Sequence, residues 1–296
     1  MRPFDYAEPT TLAEACALLA AREAARPLAG GVALILLLRQ RLLAPGLVVN
    51  LKHIPGLAEV VWDDRRGLQL GALVRHRTVE LDPLVRAHCP VLAEMARHIG
   101  SVQMRHRGTL GGNLCHADPA QDPPTVLTAL DATVTLVDAQ GERTLPVAEF
   151  VVGYYETALR PGELLRAVHV PPLPPRAGAA YARWSPRGAT DMPLLGVAAV
   201  LALDRDGVCT DARLAVGNCA ERPLRLTAVE TALRGERLDA ARLERISALI
   251  PDHLDPPSDI RGSGEYRRRM ARVFGARALH AALLRARAAA NGAGAS

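Results

Sequence analysis

The glycine pair Gly30–Gly31 constrains the start of this chain more than any other feature. It stands between the short run "RPL" and the helical spacing of "VALILLLRQRL", where glycine opens backbone conformations closed to other residues. Upstream, "TLAEACALLAAREAA" has helical periodicity, and Thr11 with Glu14 is spaced as a capping box. Downstream, "GLVVNL" (46–51) is a compact strand. The order helix, strand, Gly-Gly, helix, strand reads as a small α/β unit over residues 1–56.

A second unit follows over 57–175. "AEVVWDDRRGLQLGAL" predicts a hairpin turning at Asp63–Gly67, and "CPVLAEMARHIG" a helix ended by Gly100. "PPTVLTAL" is a short helix, "ATVTLVDAQGERTLPV" a hairpin around Gln140–Gly141, and "ELLRAVHV" a closing strand. The proline-rich stretch Pro171–Pro175 marks a boundary. Beyond it, "YARWSPRG", "LGVAAVLALDRDG" and "CTDARLAVGNC" read as an antiparallel meander, with Asp204–Gly207 a hairpin turn. Helices in "PLRLTAVETALRG", "DAARLERISALI" and "SGEYRRRMARVFGARALHAALLRARAAA" complete a unit over 176–290, and 291–296 reads as a disordered tail. The fold class is α+β.

Composition excludes several functions. The 296 residues are 49% hydrophobic, ample for more than one core, and the net charge is a modest +5. The basic stretch "EYRRRMARVFGARAL" has amphipathic helical spacing and reads as a solvated face, so nucleic acid is not indicated. No apolar h-region opens the chain, and the longest apolar run, "GGVALILLL", is too short to span a bilayer. The five cysteines are scattered without a CxxC pair, which signals neither zinc nor a chain-borne iron–sulfur cluster. Free thiols in a reducing cytoplasm are expected.

The stretch "QMRHRGTLGGNLCHADPAQD" (103–122) carries the densest chemistry. Like "LAGGVAL", its "GTLGGN" reads as a turn whose bare backbone can approach an anion, and the helix after Gly31 adds its dipole. Neither turn fits G-x-G-x-x-G or the Walker A loop, and by spacing alone each is first a tight turn. His98, His106 and His116 match no ligand spacing and read as surface histidines. Arg105 and Arg107 either neutralise a diphosphate or sit exposed on a loop, and the sequence leaves both open. Asp118 reads as a turn cap, and Cys115 as a small packed residue.

"RPLAGGVALILLLR", "GALVRH", the stretch from "GSVQMRHRGTLGGN" to "LTALDA", and "GSGEYRRRMARV" occur in that order. Together they resemble the FAD-binding medium subunit of molybdenum hydroxylases, the group of carbon monoxide dehydrogenase and xanthine dehydrogenase. The resemblance runs from "FDYAEPTTLAEA" to the last helix. It implies two α/β subdomains of the vanillyl-alcohol-oxidase type holding FAD, then a C-terminal antiparallel sheet with helices. It implies cofactor contacts at Leu28, Ala29, Gly30, Gly31, Val32, Ala33 and Leu34. It implies further contacts at Thr109, Gly111, Gly112, Asn113, Cys115 and Asp122, with Ile99 and Gly100 nearby. Arg183 stands where relatives often carry a lysine near the flavin. Relatives commonly read A-G-G-T-D where this chain has Ala29-Gly30-Gly31-Val32-Ala33, and some stack an aromatic where Met192 stands here.

The implied activity is electron relay. A large molybdopterin subunit oxidises substrate, and electrons pass through a small subunit with two [2Fe–2S] clusters to FAD and on to an external acceptor. The implied assembly is a heterohexamer of two heterotrimers. No side chain is nominated as catalytic and none as a metal ligand. A structural subunit with weakened FAD binding and a stand-alone flavin oxidoreductase stay open as alternatives.

Overall fold

Local signals place the first elements where the sequence puts them. Thr11 caps the helix Leu12–Ala21 by accepting from the Glu14 N–H at 3.2 Å, and the Glu14 carboxylate reaches back to the Thr10 N–H at 3.1 Å. The computed structural model describes residues 1–186, 188 and 192–292. They form two units, one of Met1–Ala117 with Ala132–Val170, the other of Asp118–Asp131 with the chain from Pro171 on.

The first unit holds two main sheets. Strands Asp5–Ala7, Leu47–Asn50 and Arg26–Leu28 form a parallel three-stranded sheet in that order. Its central strand is wholly buried, as a strand covered on both faces must be. The second sheet is antiparallel and five-stranded, in the order Val60–Asp63, Gly67–Gly71, Leu164–Val170, Thr133–Val137, Glu142–Pro146. Both expected hairpins are there, and Gly67 and Gly141 take positive φ at their turns. Ala15, Cys16, Leu47, Val49 and Ile54 pack with Val137 and Leu164 in one core.

The second unit is built on an antiparallel sheet of Ala177–Trp184, Leu195–Leu203, Cys209–Gly217 and Leu224–Arg225, four strands in sequence order. All nine residues of Leu195–Leu203 are buried, so both faces are covered. Leu195, Val197, Ala199 and Leu201 share a core with Leu243, Leu279 and Leu283 of the C-terminal helices. Gly196 pairs with Gly217 across the strands and faces the other way, where the helix Asp122–Ala129 packs. A Cβ on Gly217 would lie 2.0 Å from Thr125 Oγ1, so the missing side chain admits that helix.

Three expectations need correction. "GTLGGN" is not a turn, because Thr109 caps a helix spanning Leu110–His116 that carries both glycines inside it. Each glycine costs a helix about 1 kcal/mol, and burial of Leu110 and Leu114 offsets it. The helix Gly264–Gly292 is not a simply solvated basic face, since Arg267 is buried and donates to the carbonyls of Leu194 and Asn218. The same helix takes in Asn291 and Gly292 from the expected tail, and 293–296 lie outside the described residues. The stretch 189–191 before Met192 also lies outside them.

Candidate functional site

Two segments far apart in sequence meet in the first unit. Strand Arg26–Leu28 delivers Ala29 and Gly30, and Gly31 turns into the helix Val32–Arg39 at φ 77°, a conformation that favours glycine. Gly31 offers no side-chain cap, so the first N–H groups of that helix, on Val32, Ala33 and Leu34, have no intrahelical partner. They carry the positive end of the helix dipole and suit an anion.

The facing segment is anchored by backbone. Leu110 N–H donates to Val74 O at 2.8 Å, Gly111 N–H to Ala72 O at 2.9 Å, and His76 N–H to Gly108 O at 3.0 Å. Gly111, one of the implied cofactor contacts, is buried, and a Cβ there would lie 2.7 Å from Ala72 O. Its glycine serves packing. The Gly112 N–H is also used, by Thr109 Oγ1 at 3.1 Å, while Gly112 itself is exposed and turned toward Ala29. Gly112 thus supplies bare surface, and neither glycine of the pair supplies a free N–H donor. Beside it, Asn113 Oδ1 is buried with no hydrogen-bond partner in the structure.

A cleft of about 320 Å³ opens alongside, lined by Ala29, Gly30, Lys52, Arg75, Arg107 and Thr109 among others. Lys52 and Arg75 were not singled out from the sequence. Lys52 is the only lysine in an arginine-rich chain, which was the one available signal. Arg107 lies in this cleft, but Arg105 is neither a cleft residue nor exposed. The helix Val102–Arg107 turns it inward, onto Glu80 at 2.9 Å and the carbonyls of Ile99 and Gly100 at 3.2 and 3.0 Å. Ile99 and Gly100 are thereby tied to the buried Arg105–Glu80 pair, whose carboxylate also meets Arg77.

Asp122 begins the helix Asp122–Ala129 in the second unit and is buried. Its carboxylate accepts from the Tyr181 hydroxyl and from Arg183 Nε at 3.2 and 3.3 Å. Burial pushes its pKa up, against the pull of Arg183 and Tyr181 in the opposite direction. Tyr181 was missed by the sequence reading. It stands two residues before Arg183 on one strand and so shares its face. Met192 is 41% exposed. Cys115 is half-buried, and burial pushes its thiol up to about 12, so it is no reactive thiolate. Asp118 is a turn cap, accepting from the Ala120 N–H at 2.9 Å. His116 lies against Tyr155, and His106 lines the basic cleft. Among the described residues no cluster could hold a metal ion.

Residues 2–173 match the family described as "FAD binding domain in molybdopterin dehydrogenase", and 179–282 match "CO dehydrogenase flavoprotein C-terminal domain". The chain is 37% identical to the 6-hydroxypseudooxynicotine dehydrogenase complex subunit alpha of Paenarthrobacter nicotinovorans, covering 97% of each. It is 34% identical to the carbon monoxide dehydrogenase medium chain of Afipia carboxidovorans, covering 96% of this chain and 98% of that one. Among solved structures it superposes on quinoline 2-oxidoreductase from Pseudomonas putida 86 with a TM-score of 0.91 at 32% identity, over 96% of this chain and 98% of that chain. The fold and the family matches therefore define an FAD-binding oxidoreductase subunit. The chain belongs to the FAD-binding medium subunits of the molybdenum hydroxylase family.

Proposed function

We propose that this chain relays electrons within a molybdenum hydroxylase complex. It takes them from two [2Fe–2S] clusters on a small partner and passes them to an external acceptor. A large molybdopterin-binding partner oxidises the substrate, and the assembly is a cytoplasmic heterohexamer of two heterotrimers. Relatives that are subunits or medium chains of dehydrogenases support this reading. No described helix is long and apolar enough to cross a membrane.

The observation that carries the reading is the meeting of Ala29 and Gly30 with the segment Arg107–Gly112 beside a basic cleft. The N–H groups of Val32, Ala33 and Leu34 hold the FAD diphosphate, and Lys52, Arg75 and Arg107 offset its charge. Val32 and Ala33 stand where relatives carry polar side chains, but the backbone donors do not depend on side-chain identity. Bare Gly112 leaves room for the chain of the cofactor, and the unpaired Asn113 Oδ1 accepts a hydroxyl. Asp122, Arg183 and Met192 are further FAD contacts of this reading. Leu28, Ile99, Gly100 and Cys115 support the two segments. Residues 1–56 and 57–175 serve as the FAD-binding subdomains, and 176–290 as the C-terminal flavoprotein domain.

Bound FAD supplies exchange between two-electron and one-electron partners, and the protein contributes binding, orientation and electrostatics. The test compares the absorption spectrum and released flavin of the wild type with those of Gly112→Leu. A yellow wild type and a folded, colourless variant are expected; equal FAD content in both overturns the placement. Bleaching of the flavin band when substrate is added to the purified complex tests the relay itself.

A further inference from the structure

Tyr155 lies at the turn between strands Val151–Gly153 and Glu156–Thr157 with φ 57°, a left-handed conformation disfavoured for any residue with a Cβ. Its N–H donates to the Ala117 carbonyl at 2.9 Å. Its ring centroid lies 5.2 Å from that of His116, with the planes tilted by 53°. The side chain is nonetheless 61% exposed. A tyrosine ordinarily contributes by burying its ring. Here backbone, turn and a neighbouring ring fix its place, and its area stays open. Such unfavourable geometry, kept in place by its surroundings, clusters at ligand-binding positions.

One helix connects this ring to the glycine segments. Leu110–His116 carries Gly112 in its first turn, against Ala29, and ends at Ala117, whose carbonyl holds Tyr155. Its seven residues rise about 10 Å in all. That is the reach of the ribityl chain separating a flavin's diphosphate from its ring system. A cofactor with its diphosphate at the N–H groups of Val32–Leu34, where Ala29 meets Gly112, and its chain along this helix therefore brings its ring to the end where Tyr155 stands.

We infer that Tyr155 is the aromatic surface on which the isoalloxazine ring lies. This rests on the diphosphate placement proposed above, and it supplies an aromatic partner to a chain that has Met192 where some relatives have a ring. Offset contact between a flat heteroaromatic ring and a phenol is favourable in its own right, beyond the area it buries. Tyr154, 52% exposed in the same turn, provides the control.

The test uses the full-length chain with FAD bound, the flavin content being measured by release. A phenol in contact with a flavin quenches its emission by electron donation to the excited ring, whereas a phenyl ring keeps the packing and does not. Tyr155→Phe is expected to retain FAD and to raise its emission several-fold, while Tyr154→Phe stays at the wild-type level. Wild-type quenching in FAD-loaded Tyr155→Phe would overturn the inference. So would loss of FAD from that variant, since the hydroxyl and not the ring face would then be the contact. Failure of the cofactor placement reads out separately, as a Gly112→Leu chain that still takes up FAD.

Discussion

A Cβ on Gly30 would lie 1.9 Å from the carbonyl oxygen of Arg107, nearer than any side chain can approach a backbone atom. Gly30 is therefore required by the meeting of the two segments, before any ligand is considered. Gly30→Ala must push them apart, at a cost of about 1–3 kcal/mol. A fall in melting temperature of several degrees with loss of bound FAD is expected. Gly46→Ala, where a Cβ meets nothing within 4 Å, should melt like the wild type. Equal melting of the two variants would refute the contact.

Glu80 and Arg105 are both buried and paired at 2.9 Å, so removing one charge strands the other. Glu80→Gln is expected to cost about 3 kcal/mol near neutral pH. Burial alone would raise the Glu80 carboxyl, but Arg77 and Arg105 outweigh it and hold the group below its ordinary 4.5. The pair's contribution is thus present in full above that value and is lost as pH falls through the lower folded-state one. Urea unfolding at about pH 7 and about pH 3.5 should show the wild-type advantage shrinking between them. A constant difference would mean that the pair's charge is not what is lost.

Tyr181→Phe removes one of the hydrogen bonds to the buried Asp122 carboxylate. Bonds to charged groups are worth about 1.5–3 kcal/mol. Chemical denaturation should show that loss, and titration with FAD should show weaker binding, because Asp122 is then held by Arg183 alone. Unchanged affinity would remove Asp122 from the proposed FAD contacts.

Gly217→Ala places a Cβ 2.0 Å from Thr125 Oγ1, a hydroxyl with no hydrogen-bond partner in the structure. The single variant is expected to lose about 1–3 kcal/mol. Adding Thr125→Ala removes the clashing oxygen and should restore part of that loss. Strictly additive single-variant effects in a double-mutant cycle would contradict the close packing.

The native thiols should be inert. Burial raises Cys89, Cys115 and Cys219 to about 12 and Cys209 to about 11. A thiol reagent at mildly alkaline pH should therefore label the native chain slowly, and all five free cysteines on unfolding. Rapid stoichiometric labelling of native Cys115 would show an accessible thiolate.

Much of this protein was legible in its sequence, because the signals were local. The capping box at Thr11, the hairpins at Asp63–Gly67 and Gln140–Gly141, and the meander after Pro175 depend on neighbours in the chain. The order of quoted motifs was enough to indicate the family and its cofactor. "GTLGGN" misled because glycine pairs favour turns in isolation, and only burial of Leu110 and Leu114 makes the segment helical.

What tertiary structure decided was the use of each side chain. No spacing rule distinguishes Arg105 from Arg107, yet one is buried against Glu80 and the other lines the basic cleft. Gly111 and Gly112 are adjacent and identical, but one packs on Ala72 while the other faces Ala29. Tyr181 meets Asp122 across 59 residues of chain. Sequence patterns fix which elements form, since periodicity and caps act within a few residues. Which atoms meet is set by the packing of elements remote in the chain, and no local pattern encodes it.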